Sequence, residues 1–288
     1  MSREQEIRDK ARELLANGTV DVVIGWETGS DGLNARPTFI YKAEEADRLV
    51  FNQTCVHNLA KYLPEKKSKR IAVVVKPCDA RMVNVLLFEK QGVRDKVFII
   101  GTTCEGVVER TTWGAQGQEL QSRCKACTQH TPVTYDVLVG PEVPEPTSEI
   151  DRFALVAKME AMSEEERADF WAAEFDKCTR CYACRQACPA CYCAECVVEQ
   201  IDPDYVGIRI AREEVQLFHM IRAFHLAGRC VGCSECQRVC PVNIPLGLLN
   251  AKFSKDIKEM FAFTPGLSAE QSPPLETFKK EDRLGVGE

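Results

Sequence analysis

Apolar positions along this chain change their period part-way. Over residues 3–16 they recur at helical spacing among Glu and Arg, and Asn17-Gly18 supplies a stop, which predicts an amphipathic helix. Val20-Asp-Val-Val-Ile24 then reads as a short β-branched strand, followed by a turn through Gly25, Gly29 and Gly32. Those glycines lack the G-x-G-x-x-G spacing of a phosphate cradle, so a plain turn is the stronger reading. Residues 44–62 have helical character. Two continuous apolar runs follow, Ile71-Ala-Val-Val-Val75 and Val97-Phe-Ile-Ile100, with the pattern of strands buried on both faces. Residues 80–91 between them are helical, so the three form a β-α-β unit, and Tyr135-Asp-Val-Leu-Val-Gly140 adds a later strand.

Beyond residue 140 the pattern becomes helical throughout. Pro141, Pro144 and Pro146 make 141–150 a stiff linker. Ser163 and Glu166 form a capping box, and the helix they open carries Phe170, Trp171 and Phe175 toward the cysteines that follow. A second helix is marked by Ile210, Leu217, Phe218, Ile221 and Phe224 and ends at Gly228. A third, after Pro245, uses Leu248, Leu249, Phe253, Ile257 and Met260. The tail 265–288, with Pro265, Pro273 and Pro274, reads as an extended arm lying on a partner or left mobile.

Composition narrows the function classes. The chain has 288 residues, enough for two cores, and a net charge of −6 without a concentrated basic face, which excludes a nucleic-acid partner. No apolar run approaches the ~18 residues of a membrane span, and the charged start is neither a signal peptide nor a twin-arginine leader. A cytoplasmic location is expected, with its thiols kept reduced. Sixteen cysteines are far above ordinary usage.

Eight of them stand in two copies of one run, C-x2-C-x2-C-x3-C-P: Cys178, Cys181, Cys184 and Cys188 before Pro189, and Cys230, Cys233, Cys236 and Cys240 before Pro241. This is the spacing of bacterial two-cluster ferredoxins, in which the cysteine before proline serves the other cluster. Two 4Fe-4S clusters are expected, one on Cys178, Cys181, Cys184 and Cys240, the other on Cys230, Cys233, Cys236 and Cys188. Disulfides do not suit a reducing compartment, and zinc sites normally stop at four ligands in paired C-x2-C elements. The fold class expected is therefore an α/β N-terminal domain with a mostly parallel sheet (1–140), followed by an α-helical dicluster ferredoxin domain (151–264).

In the first half, Cys78 and Cys104 leave the carboxyl ends of two neighbouring strands, the edge where open α/β sheets place their ligands. Cys124 and Cys127 form a C-x2-C pair downstream. Spacing alone leaves two readings open, a third cluster or a zinc site.

An ordered series through this half is similar to the beta subunits of the deazaflavin-dependent hydrogenase and formate dehydrogenase family: Glu13-Leu-Leu-Ala-Asn-Gly18-Thr-Val-Asp-Val-Val-Ile-Gly25, Lys76-Pro-Cys-Asp79, Ile99-Ile-Gly-Thr-Thr-Cys104-Glu-Gly106, Cys124-Lys-Ala-Cys127 and Tyr135-Asp-Val-Leu-Val-Gly140. The resemblance implies Cys78, Cys104, Cys124 and Cys127 as ligands of a third 4Fe-4S cluster, with a flavin beside it. The segment is short for that family, and the dicluster run follows it instead of preceding it. The second half resembles the α-helical ferredoxins of heterodisulfide reductase and succinate dehydrogenase type, most closely at Cys236-Gln-Arg-Val-Cys-Pro-Val-Asn-Ile-Pro-Leu246.

Several residues remain outside these sets. Cys191, Cys193 and Cys196 follow so closely that seven cysteines fall within nineteen residues. Three thiolates leave a coordination shell incomplete, so packing or an interface role is preferred to a further metal site, which would need Cys55 or a partner subunit. Cys55, His57, His219 and His225 read as packing or surface residues, since none has a ligand-spaced neighbour. Lys177, Arg180, Arg185, Arg229 and Arg238 lie in or beside the runs, where positive charge would favour the reduced cluster.

No acid-base pair or nucleophile triad stands out. The leading expectation is an electron-transfer subunit relaying single electrons through three 4Fe-4S clusters between other subunits of an anaerobic oxidoreductase complex of hydrogenase, formate dehydrogenase or heterodisulfide-reductase-like type. The alternative is a flavin-containing subunit, resembling those of sulfhydrogenase or sulfite reductase, that exchanges hydride with a deazaflavin or nicotinamide. A zinc-stabilised interaction protein ranks last.

Overall fold

The computed structural model describes residues 2–109, 119–145, 151–203 and 205–274. Helix α1 (Arg3–Ala16) starts where Ser2 accepts a hydrogen bond from the Gln5 backbone, and buries Ile7, Ala11 and Leu14 along one stripe. Strand β1 (Val22–Thr28) runs four residues past the expected Ile24, with both faces buried through the wholly buried Trp26 to Glu27. Its tight turn comes later, at Gly29–Asn34 in the chain, where the Asp31 carboxylate accepts from the Leu33 and Asn34 backbones before β2 (Ala35–Ile40) returns antiparallel.

The expected helix over 44–62 does not form. Instead a 3₁₀ turn (Ala43–Arg48) leads to a two-residue strand β3 (Leu49–Val50) paired with β1, and a second 3₁₀ turn covers Leu59–Tyr62. Two asparagines explain the break: Asn52 accepts from the Thr54 backbone and Asn58 from the Ala60 backbone, local bonds that compete with a helix.

Strand β4 (Ile71–Val75), helix α2 (Pro77–Phe88) and strand β5 (Val97–Thr102) form the expected β-α-β unit. Strand β6 (Val137–Val139) completes a sheet of order β2-β1-β4-β5-β6 in which β1, β4, β5 and β6 are parallel. The expected mostly parallel α/β sheet is therefore present. Short helix α3 (Ser122–Lys125) lies just outside its carboxyl edge, beyond β5.

The second half is helical: α4 (Ala154–Glu160), α5 (Glu164–Phe175), α6 (Ala183–Ala187), α7 (Arg212–His225), α8 (Glu235–Arg238) and α9 (Leu246–Phe261). The Ser163 and Glu166 capping box is present. In α7 the buried face is Val215, Phe218, His219, Arg222 and Ala223; of the expected stripe Phe218 is buried and Ile221 packs against the core, while Leu217 and Phe224, and Ile210 before the helix, are exposed. The reason is that this face carries a histidine and an arginine toward cysteines, so hydropathy underrates it. Met260 of α9 is likewise exposed.

The two halves share a core. Cys188, Ala190, Leu226, Val231 and Cys233 pack into the same apolar cluster as the sheet. Arg229 donates to Glu89 at 2.8 Å across the junction. The start of the tail, expected as an extended arm lying on a partner or left mobile, lies on α2 of the same chain: Arg81 donates to the Pro265 carbonyl at 2.9 and 2.7 Å and Asn84 to the Gly266 carbonyl at 2.9 Å. Gly266, at φ +77, approaches so closely that a Cβ would fall 2.1 Å from the Arg81 carbonyl oxygen. The rest of the tail from 275, and linker residues 146–150, lie outside the described residues.

Arg81 is buried and satisfies carbonyls that have no route to water. Arg81→Ala should therefore cost roughly 2–4 kcal/mol, since each buried carbonyl left without a donor costs ~1–3 kcal/mol. The check is the midpoint of urea unfolding; an unshifted midpoint would mean the carbonyls are not sealed.

Candidate metal centres

Both cysteine runs fold into the same backbone shape. In the first, Arg180 and Tyr182 have positive φ; in the second, Gly232 and Ser234 do, at the corresponding positions. Three of these four are not glycine, and each such residue costs ~1–2 kcal/mol in the left-handed region. The matched strain turns successive thiols of a run toward one side, and a one-turn helix follows each, α6 and α8, lying against one another.

Cys178, Cys181, Cys184 and Cys240 line a single cavity together with Phe218, His219 and Ile244. These are the four thiols expected in one set from the crossed rule, three from one run and the last from the other. Their surroundings suit sulfur anions: the Arg180 backbone donates to the Cys178 thiol and the Ile244 backbone to the Cys240 thiol, each at 3.4 Å. His219 places Nε2 3.4 Å from the same Cys178 sulfur and stacks on Phe175 at 4.9 Å. It is thus a core histidine, as expected, but one that touches a candidate ligand. Burial pushes the Cys184 thiol up to about 12, against the pull of Arg222. Cys181 is exposed, so this group reaches the surface.

The second set sits deeper, against the sheet. Cys230, Cys233 and Cys236 each lie in the field of Cys188. Burial raises all three thiols, Cys230 to about 11. Asn250 of α9 donates to the Cys236 sulfur at 3.4 Å. The leftover Cys191 is found here too: its thiol and that of Cys188 hydrogen-bond each other, which holds the Cys188 side toward the thiolate. Cys193 is exposed and Cys196 is half-buried against the helical core.

The third set gathers at the carboxyl edge of the sheet. Cys78 lies in the first turn of α2 and Cys104 just after β5, and Cys78 feels the charge of Cys104. Cys104 also feels Cys124. Gly106 lets these segments meet: at φ +109 its absent Cβ would stand 3.2 Å from Cys124, while its backbone donates to the Cys104 thiol at 3.4 Å. The Val107 backbone donates to the Cys124 thiol at 3.4 Å. Cys127 is at the rim; its carbonyl and that of Cys104 both contact the His130 ring, which ties the two segments together. Beneath lies a wholly buried ion pair, Lys76 and Asp79 at 2.9 Å, with the ammonium 4.2 Å from the centre of the Trp26 ring.

Matched left-handed loops and N–H groups aimed at sulfur fit iron-sulfur ligation at the two runs, and backbone N–H groups aimed at Cys104 and Cys124 fit it at the sheet edge, where the Cys127 thiol instead bonds the Gln129 carbonyl at 3.4 Å. Among the described residues no three Cys, His, Asp or Glu side chains meet at single-ion distance.

Of the five cations expected beside the runs, Arg180 and Arg185 are buried. Arg229 pairs with Glu89, Arg238 with Glu235 and the exposed Lys177 with Glu174. Two others escaped the sequence reading. Arg222 of α7 lies among Cys236, Cys188, Cys184 and Cys191. Arg123 of α3 lies among Cys78, Glu235, Cys233 and Cys124. Only the adjacency of Arg123 to Cys124 hinted at either.

No family model matches the chain. It is 23% identical to the F420-dependent formate dehydrogenase subunit beta of Methanocaldococcus jannaschii, over 91% of this chain and 91% of that one. It is 23% identical to the F420-dependent formate dehydrogenase 1 subunit beta of Methanococcus maripaludis, over 91% and 90%. This chain is thus similar along most of its length to the beta subunits of F420-dependent formate dehydrogenases. At that coverage the similarity cannot be confined to one half, so it spans both the sheet and the cysteine runs. A chain of the F420-reducing NiFe hydrogenase complex of Methanosarcina barkeri aligns over 36% of this chain and 42% of its own, at 18% identity and a TM-score of 0.30. No helix among the described residues is long and apolar enough to cross a membrane.

His57, expected to be a packing residue, is buried at the junction. Its pKa falls from 6.5 to about 4, first through burial and then through Arg238. The folded chain thus holds it neutral where the unfolded chain protonates it, so its contribution is complete above 6.5 and is lost as pH falls toward 4. Between pH 7 and pH 5 this amounts to about 2 kcal/mol. In His57→Gln the acid-side loss should shrink by that amount, measured by urea unfolding at the two pH values.

Proposed function

We propose that this chain is an electron-transfer subunit carrying three 4Fe-4S clusters, working within a larger oxidoreductase complex of the formate dehydrogenase or hydrogenase kind. The observation that carries the reading is the order of the three thiol groups. Arg123 adjoins both the sheet-edge group and Cys233, and Arg222 adjoins both Cys236 and Cys184. The groups therefore follow one another: Cys78, Cys104, Cys124 and Cys127 first, then Cys230, Cys233, Cys236 and Cys188, then Cys178, Cys181, Cys184 and Cys240. Bound clusters would supply one-electron redox chemistry at these three places. The chain's own residues hold the thiols, exclude water from the middle group and leave the outer group open at Cys181. The full-length similarity to beta subunits supports a place among other subunits.

A second reading, a flavin subunit that exchanges hydride, rests on a cleft at the sheet edge lined by Arg3, Phe51, Lys76, Cys104 and Gly106. Its volume of about 100 Å³ is below the ~300 Å³ at which small-molecule pockets begin, so the electron-relay reading stands first.

Anaerobically purified protein should hold about twelve irons and twelve acid-labile sulfides, as three clusters of four require. Cys240→Ser and Cys104→Ser should each reduce the content toward eight. About eight in the parent with zinc present would overturn the sheet-edge assignment, and one flavin per chain would favour the second reading.

A further inference from the structure

Arg222 is a buried cation without an ion pair among the described residues, and the nearly buried Arg123 has only a long one, shared with Arg238. Arg222 is 4% exposed, and among the described residues no carboxylate lies within ion-pair distance of it. One of its terminal nitrogens donates to the Cys184 carbonyl at 3.3 Å, its side chain hydrogen-bonds the Cys236 thiol, and its buried Nε has no partner among the described residues. Arg123 donates to the Val56 carbonyl at 3.3 Å and approaches Glu235 at 3.9 Å, and its buried Nε likewise has no partner among the described residues. Glu235 is already bound at 2.7 Å by Arg238, so it serves two guanidiniums with one charge.

A buried cation without an anion costs several kcal/mol. Arg222 touches two groups at once, bonding the Cys184 carbonyl at 3.3 Å and the Cys236 thiol. Arg123 precedes Cys124 of the sheet-edge group and stands 3.9 Å from Glu235, the residue before Cys236 of the middle group. Neither arginine belongs to a cysteine run, and they sit on separate elements, α7 and α3.

We propose that Arg222 and Arg123 are positioning residues that set the potentials of the relay, each standing as a fixed positive charge between two successive thiol groups and favouring the reduced state on both sides. The middle group alone is flanked by both charges. Its potential therefore depends on both residues, whereas each outer group depends on one. The inference rests on the three-cluster reading.

The test is a potentiometric titration followed by EPR on wild-type protein, Arg222→Gln, Arg123→Gln and the two lysine variants, with iron counted in each. Both glutamine variants keep about twelve irons. Each moves two of the three midpoints to more negative values, one of them in common, by at least a tenfold change in the oxidised-to-reduced ratio, about 59 mV for a one-electron couple. The lysine variants, which keep the charge, stay closer to wild type. Midpoints that ignore both glutamine substitutions at full iron content overturn this inference alone, as do lysine variants that shift as far as glutamine. Because the two residues stand on separate elements, either variant decides if the other loses iron. A wild-type chain without clusters sinks the relay reading, and this inference with it.

Discussion

Negative charge buried away from water must be matched by positive charge in the same place, and that constraint governs how this chain is assembled. Of the dozen cysteines assigned to the three proposed groups, five are buried and six partly so. Burial by itself raises the thiols and resists ionisation, as at Cys184 and Cys236. What makes ligation workable is the set of donors around the sulfurs: the Arg180, Ile244, Gly106 and Val107 backbones, Asn250, and the buried guanidiniums of Arg222 and Arg123. The fold can be understood as the scaffold that brings these donors to the thiols.

The parallel sheet contributes by geometry. Parallel neighbours β4 and β5 end on the same edge, so Cys78 and Cys104 emerge together without any special loop. The wholly buried Lys76 and Asp79 pair locks the turn between β4 and α2 from beneath. The helical half contributes by repetition: two loops of one backbone shape, held partly in the left-handed region, offer their thiols to each other. The junction is a true core rather than a hinge, since Cys188, Leu226 and Cys233 pack with the sheet. Arg81 clasps the chain after α9 back onto α2. The proposed relay would need such a fixed separation between the halves.

Much of this was legible before any tertiary structure. The two cysteine runs, the β-α-β unit, the capping box at Ser163 and the parallel character of the sheet all follow from local rules: ligand spacing, strand hydropathy and backbone donors at a helix start. The crossed grouping of Cys240 with Cys178, Cys181 and Cys184 was also available, since it is a property of the run itself. Similarity to the deazaflavin-dependent beta subunits was carried by short motifs around Cys78, Cys104 and Cys124, and full-length comparison extends it through both halves.

What local rules could not supply is who stands beside whom across long separations in sequence. The helix expected over 44–62 fails because Asn52 and Asn58 bond their own neighbours and β1 recruits Val50, a partner 24 residues away. The buried face of α7 is missed because His219 and Arg222 are polar by type and interior by position. The order of the three thiol groups, the ion pair from Arg229 to Glu89 and the charges between successive groups exist only once the helical half has docked on the sheet. The sequence by itself determined the chemistry, because cysteine spacing dictates which thiols can share a cluster. Tertiary structure decided the route, because proximity and burial between distant segments depend on how the chain packs.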